Sequence, residues 1–185
     1  MTGLRPAAGP GPGPSRGDAV LTSLPPVLRA DTRLLILGSF PGVASLQAGQ
    51  YYAHPRNQFW PILGDLLGEP LHDRDYSERI GYLLERRIGL WDVYATCVRP
   101  GSLDSSIRDA VPNDLGTLLR QAPRLRMIVH NGAESARRMR EVKALGIAAW
   151  RLPSTSPANA RLGYHAKRSL WREALDAAGV LPRGS

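Results

Sequence analysis

The chain contains a single cysteine, Cys97, among its 185 residues. One cysteine excludes an intrachain disulfide, and it excludes a zinc or iron–sulfur centre held by several cysteines. No apolar run reaches 18 residues, so the sequence predicts no membrane-spanning helix. The N-terminus lacks a basic segment followed by an apolar one, which argues against a secretory signal. We therefore expect a cytoplasmic protein that does not enter a membrane.

Lysine is also scarce, since two of the 24 basic residues are lysine and the rest are arginine. The formal net charge is +8 and the isoelectric point is about 10.4. Such a charge favours an anionic partner, with nucleic acid the first candidate. A GC-rich genome also enriches arginine, alanine, glycine and proline without any selection for DNA binding. The charge alone leaves both explanations open.

The two ends of the chain differ in composition from the rest. Residues 1–17 contain five glycines and four prolines, which is typical of a flexible tail. Residues 181–185 read LPRGS and resemble a protease-site remnant of an expression tag, although they can be native. Between these ends, the length of residues 18–180 suits one domain.

Short apolar runs alternate with amphipathic segments through this domain. Such alternation predicts an α/β protein with a parallel sheet that is covered by helices on both faces. In sheets of this kind, ligands bind beyond the carboxyl ends of the strands. The predicted strands are residues 34–37, 88–93, 126–130 and 147–152, and the predicted helices are residues 57–67, 76–87, 114–121, 134–143 and 165–178.

Three segments near the predicted strand ends are candidates for chemistry. The first loop, residues 38–42, reads GSFPG, and its glycines let the backbone approach a ligand, although a simple tight turn also explains it. The second segment, residues 50–60, reads QYYAHPRNQFW and offers rings for stacking and an Asn amide for hydrogen bonds. Alternatively, its tyrosines pack on the core and Asn57 caps the next helix. The late loop, residues 152–161, reads LPSTSPANAR and can grip a phosphate or remain an ordinary solvent loop.

Taken in order, GSFPG, YAHPRNQFW and LPSTSPAN resemble the uracil-DNA glycosylase superfamily. Within it, they are most similar to the branch of hypoxanthine-DNA (deoxyinosine) glycosylases, and the resemblance covers roughly residues 31–178. The resemblance implies a three-layer α/β/α domain around a four-stranded, parallel, doubly wound sheet. It also implies a monomeric DNA-repair enzyme that hydrolyses the N-glycosidic bond of hypoxanthine or uracil flipped out of DNA. No strand cleavage, metal or organic cofactor is expected.

The first loop departs from much of this superfamily at its third position. Many members carry an Asp or Asn there that positions the attacking water, whereas this chain has Phe40. In the hypoxanthine branch, the catalytic residue is instead the Asn after His-Pro-X. The resemblance therefore implies that Asn57 is catalytic. The mismatch-specific uracil branch shares this Asn, so a uracil-specific glycosylase remains an alternative.

The resemblance also suggests the other contacts. Tyr52 would stack on the extruded base, and the main chain of the first loop or of Ala53 would donate to a base carbonyl. Asp92 and Asn131 are candidates for reading the base edge, although each can simply be a turn residue. The predicted base-binding residues are Gly38, Ser39, Phe40, Pro41, Gly42, Tyr52, Ala53, Asp92 and Asn131. The predicted DNA-binding residues are Ser154, Thr155, Ser156, Arg56, Arg161 and Lys167.

Two other classes of function fit parts of the sequence. A non-catalytic module that binds single-stranded nucleic acid would share the charge and the tyrosine pair, but would not need Asn57. A nucleoside hydrolase would share the bond chemistry, but would usually hold a metal through clustered aspartates. Asp73 and Asp75 do not resemble such a cluster, and we expect no metal site.

Overall fold

The computed structural model describes residues 19–182. The predicted tail, residues 1–17, lies outside this range, as do the last three residues of the predicted tag remnant. The strands are β1 (Val20–Thr22), β2 (Leu34–Gly38), β3 (Ile88–Asp92), β4 (Tyr94–Val98), β5 (Arg108–Pro112), β6 (Met127–Asn131) and β7 (Ala148–Leu152). The α-helices are α1 (Val43–Ala48), α2 (Phe59–Leu67), α3 (Tyr76–Glu85), α4 (Gly116–Gln121), α5 (Met139–Ala144) and α6 (Tyr164–Ala177).

The central sheet contains the four strands that the apolar runs predicted. It is entirely parallel, in the order β3-β2-β6-β7. Every residue of β2, β3 and β6 is buried because both faces of the sheet are covered. The chain leaves β2 toward β3 on one side and later returns to β6 on the other, so the winding direction changes between β2 and β6. The predicted α/β/α architecture is confirmed.

Two apolar clusters lie on opposite faces of the sheet. Leu34 and Ile36 of β2 belong to one cluster, together with Phe59 of α2 and Trp171 of α6. The intervening Leu35 and Leu37 belong to the second cluster, which includes residues of α4, α5 and the β4 region. This alternation follows from the two-residue period of a strand.

A second sheet was not predicted. It is antiparallel, in the order β1-β4-β5, and its strands are three to five residues long. All but one of the β5 side chains are exposed, so the strand contains no buried apolar run from which it could be predicted. The β4–β5 connection brings residues 99–104 beside the first loop.

The predicted helix over residues 134–143 is divided in the structure. A 3-10 turn spans Ser135–Arg138, and α5 follows it. Ser135 is fully buried, and its hydroxyl donates to the main-chain oxygen of Leu37 at 2.8 Å while also contacting Nδ1 of His130 at 2.9 Å. These bonds tie the turn to the central sheet.

Candidate active site

An open pocket of about 800 Å³ lies beyond the carboxyl ends of the parallel strands. Its position at the change of winding direction is where doubly wound sheets bind ligands. The strand ends, the second segment and the late loop all contribute to its lining. The lining includes Gly38, Tyr52, Asn57, Asp92, Asn131 and Ser154.

The first loop borders the pocket, but its aromatic side chain packs into the protein. Phe40 is 5% exposed, belongs to the second apolar cluster and lies with its ring centroid 5.1 Å from the Arg99 guanidinium. The hydroxyl of Ser39 donates to Asp104 Oδ1 at 2.6 Å. Because the Phe40 side chain has no polar atom, it cannot orient a water molecule as an Asp or Asn side chain would.

Asp92, the last residue of β3, is a buried carboxyl at the pocket. It is 3% exposed, and Ser23 donates a hydrogen bond of 3.1 Å to its Oδ2. Burial raises the pKa of Asp92 to about 7, and repulsion from Asp104 acts in the same direction; the Ser23 bond and the charge of Arg99 oppose them. A side chain at residue 38 would collide with Asp92 Oδ1, so Gly38 is required for this close approach.

Tyr52 lies beside the Phe59 ring, with centroids 3.7 Å apart and planes at 18°. Its hydroxyl is buried beside the Asn131 side chain. Burial raises the pKa of this phenol and Asp92 acts in the same direction, whereas Asn131 opposes them. One ring face is therefore covered by Phe59, and a base could stack only on the opposite face.

Asn57 lies two residues before the start of α2 and lines the pocket. Its Oδ1 accepts a hydrogen bond of 3.0 Å from the Phe59 N–H, and the residue is half-buried. An amide oxygen has a second lone pair, and no hydrogen bond from the Nδ2 group is found among residues 19–182. The bond from the Phe59 N–H fixes the side chain and leaves the rest of its hydrogen-bonding capacity free.

The late loop is attached to β6 by a reciprocal pair of hydrogen bonds. Asn131 Nδ2 donates to Thr155 Oγ1 at 2.9 Å, and the Thr155 N–H donates to Asn131 Oδ1 at 3.0 Å. Thr155 is fully buried, so its predicted role as a DNA contact is wrong. Ser154 and Ser156 remain partly exposed at the pocket.

Two further predictions need correction. Lys167 is 2% exposed, and its ammonium donates to Gln58 Oε1 at 3.0 Å and to the main-chain oxygen of Asn159 at 2.8 Å. It therefore joins α6 to the late loop and offers no free charge to a phosphate. The N–H of Ala53 donates to Ser45 Oγ at 3.1 Å, so it is not available to a base carbonyl.

Arg56 and Arg161 are exposed, and Arg161 borders the pocket, as does Arg151, which was not predicted. The sequence also gave no indication of Arg99 or Asp104 beside the first loop, because the segment between β4 and β5 lacks a helical or strand pattern. No group of three or more His, Cys, Asp or Glu side chains within residues 19–182 is arranged to hold a metal ion. In the same range, no helix is long and apolar enough to cross a membrane.

The fold and the pocket together define a doubly wound α/β protein with an open pocket where the sheet changes winding direction, the usual ligand site of such folds. A family model described as the uracil DNA glycosylase superfamily matches residues 25–176. The chain belongs to this superfamily.

Curated relatives and a solved structure agree with this membership. The hypoxanthine DNA glycosylase of Methanosarcina barkeri is 39% identical over 151 residues, which cover 82% of this chain and 95% of the relative. The protein of the same name from Methanosarcina acetivorans is 40% identical over 147 residues, covering 80% and 92%. A solution NMR structure of a candidate uracil DNA glycosylase from M. acetivorans superimposes with a TM-score of 0.79 at 36% identity, covering 87% of this chain and 99% of that one.

Proposed function

We propose that the protein is a monofunctional DNA glycosylase that releases hypoxanthine, and also uracil, from DNA. The observation that carries this proposal is Asn57, a polar side chain held by its bond from the Phe59 N–H at a pocket where the Phe40 side chain cannot orient water. Relatives named hypoxanthine DNA glycosylase support hypoxanthine as the first substrate. The similar structure described as a candidate uracil DNA glycosylase favours uracil as a second substrate.

The reaction would be a direct hydrolysis. Breaking the bond between C1′ and the base nitrogen leaves an oxocarbenium-like sugar, and negative charge accumulates on the departing base. A neutral amide is a weak base, but it can orient a water toward such a sugar, and Asn57 retains the required hydrogen-bonding capacity. Neither lysine of the chain lines the pocket, since Lys143 is exposed on α5 and Lys167 is buried in hydrogen bonds. A lysine-linked intermediate is therefore not expected, and the DNA strand would remain intact.

The base would be recognised through an edge that hypoxanthine and uracil share, a carbonyl beside a ring N–H. With Oδ2 held by Ser23, Asp92 Oδ1 remains as an acceptor for the ring N–H. Main-chain N–H groups of the first loop would donate to the carbonyl. Adenine and cytosine carry the opposite pattern and would leave buried polar groups unpaired, which discriminates strongly. Asn131, already paired with Thr155, would act mainly by holding the late loop in position.

Base flipping and DNA binding would use the remaining exposed groups. Tyr52 would stack on the extruded base with the ring face that Phe59 leaves open. Arg56, Arg161, Ser154 and Ser156 would contact the phosphate backbone beside the pocket. We propose that the protein does this as a cytoplasmic monomer, performing the first step of base excision repair without a cofactor.

A duplex with one labelled deoxyinosine tests the proposal. After incubation with the protein, hot alkali cleaves the strand wherever a base has been released, whereas omission of alkali should leave it intact. Matched duplexes with deoxyuridine or deoxyadenosine test the substrate range. Release of uracil but not hypoxanthine would indicate a uracil-specific enzyme. Binding without release of either base would indicate a non-catalytic nucleic-acid module.

A further inference from the structure

All five main-chain oxygens of the first loop accept hydrogen bonds from other parts of the protein. Three of these donors are main-chain N–H groups, from residues 93, 94 and 46, at 3.0 to 3.2 Å. The other two oxygens, those of Phe40 and Pro41, both accept from the guanidinium of Arg99. The loop thus directs its acceptors away from the pocket.

The same hydrogen bonds determine the direction in which the loop's free N–H groups point. Every described peptide bond is trans, so each N–H points opposite to the carbonyl of the preceding residue. The oxygen of Ser39 is held by the Tyr94 N–H, which turns the N–H of Phe40 the other way. The oxygen of Pro41 is held by Arg99, which turns the N–H of Gly42 away from Arg99. Neither N–H has a hydrogen-bond partner within residues 19–182, and both residues line the pocket.

Arg99 is well placed to maintain this arrangement. It is 5% exposed, it directly follows β4, and its guanidinium lies over the Phe40 ring at 5.1 Å. Two other residues of the same segment hold the flanks of the loop. Asp104 accepts from the Ser39 hydroxyl at 2.6 Å, and Ser102 Oγ accepts from the first N–H after the loop at 2.9 Å.

We propose that Arg99 is a positioning residue for base release: by holding the Pro41 oxygen, it directs the Gly42 N–H toward the departing base, beside the Phe40 N–H that the Ser39–Tyr94 bond orients. These donors would stabilise the negative charge that the base acquires as its bond to C1′ breaks. The inference rests on the proposed function. It adds an explanation of how the N–H donors of the first loop come to face the pocket. Arg99 itself does not need to touch the DNA.

The test must separate this role from simple support of the fold. Arg99→Lys keeps the positive charge but lacks the planar fork that can reach two oxygens, and Arg99→Met keeps much of the stem without any donor. Arg86→Lys is the matched control, because Arg86 follows α3 and donates to the Tyr82 hydroxyl away from the pocket. Single-turnover release from a deoxyinosine duplex should fall by about tenfold or more in both Arg99 variants and remain unchanged in the control.

The decisive readout is the dependence on the leaving base. Xanthine is a stronger acid than hypoxanthine and therefore leaves more readily as an anion. Duplexes containing deoxyinosine and deoxyxanthosine, carrying different labels, are mixed in one tube, so the ratio of their cleavage rates does not depend on how much variant is folded. Loss of anion stabilisation should shift this ratio toward xanthine in both Arg99 variants.

A slower enzyme with an unchanged ratio would show that Arg99 only supports the fold, and an unchanged rate would remove any role; either result overturns the inference. If the wild-type protein releases no base from either duplex, the proposed function fails and the inference fails with it. The wild-type reaction therefore distinguishes the two kinds of failure.

Discussion

Replacing Asp92 with Asn should stabilise the protein at neutral and alkaline pH relative to acid pH. Burial raises the pKa of Asp92 from its ordinary 3.8 to about 7, so the folded state holds this proton more tightly than the unfolded chain does. Ionising the carboxyl within the fold therefore costs free energy as the pH rises from about 4 to about 7, and the cost then stays constant. The difference between the two pKa values corresponds to at most about 4 kcal/mol. Asn is nearly isosteric and carries no charge to desolvate.

Urea unfolding of both proteins between pH 4 and pH 8 measures this effect, with pH-dependent contributions from other groups cancelling in the difference. The stability of Asp92→Asn minus that of wild type should increase by about 3 kcal/mol over this range and level off above about pH 7. Asp176→Asn, an exposed change near the end of α6, is the matched control and should give a flat difference. A flat difference for Asp92→Asn as well would refute the claim that this carboxyl is ionised at a cost. A difference of the opposite sign would mean that a partner stabilises the carboxylate.

Three other changes test separate parts of the site. Tyr52→Ala should weaken catalysis by about 1–3 kcal/mol through lost stacking, whereas Tyr52→Phe should be tolerated because stacking needs the ring and not the hydroxyl; equal losses in single-turnover rate would contradict stacking. DNA affinity should fall with salt, and replacing Arg56 and Arg161 together by Ser should reduce the slope of log Kd against log salt by about 2. An unchanged slope would remove both from the phosphate contacts. Thr155→Val should destabilise the protein by about 1–3 kcal/mol, because Asn131 Nδ2 loses its acceptor, and a melting temperature equal to wild type would contradict this.

The central sheet could be predicted because its strands are apolar on both faces. The run 34–37 reads as a buried strand in any context, and structure and prediction agree to within one residue there. The small antiparallel sheet could not be predicted, since β1 has only three residues and β5 is almost entirely exposed. Its strands are held by pairing with β4, which is a tertiary contact.

Individual residues of the site could be predicted from the sequence, but the hydrogen bonds that join distant residues could not. Asn57 is the first residue of a predicted helix and Asp92 lies at the end of a predicted strand, so their position at the pocket follows from the α/β pattern. The pairing of Asn131 with Thr155 joins residues 24 apart, and no local signal marks it. Lys167 did carry a signal, because it precedes the buried Trp171 by four residues and so lies on the apolar stripe of α6.

Single-turnover release of hypoxanthine from a deoxyinosine duplex by the wild-type protein and by Asn57→Ala tests the proposed mechanism most directly. We expect release by the wild type and a loss of roughly 10²–10³ in rate for the variant. Affinity for the duplex should be retained. Asn57→Ser, whose hydroxyl can still accept from the Phe59 N–H, separates this structural bond from the chemistry, because the variant should retain stability and still lose rate. A folded Asn57→Ala protein that releases hypoxanthine within a few-fold of the wild-type rate would contradict the assignment of Asn57 and, with it, the proposed mechanism.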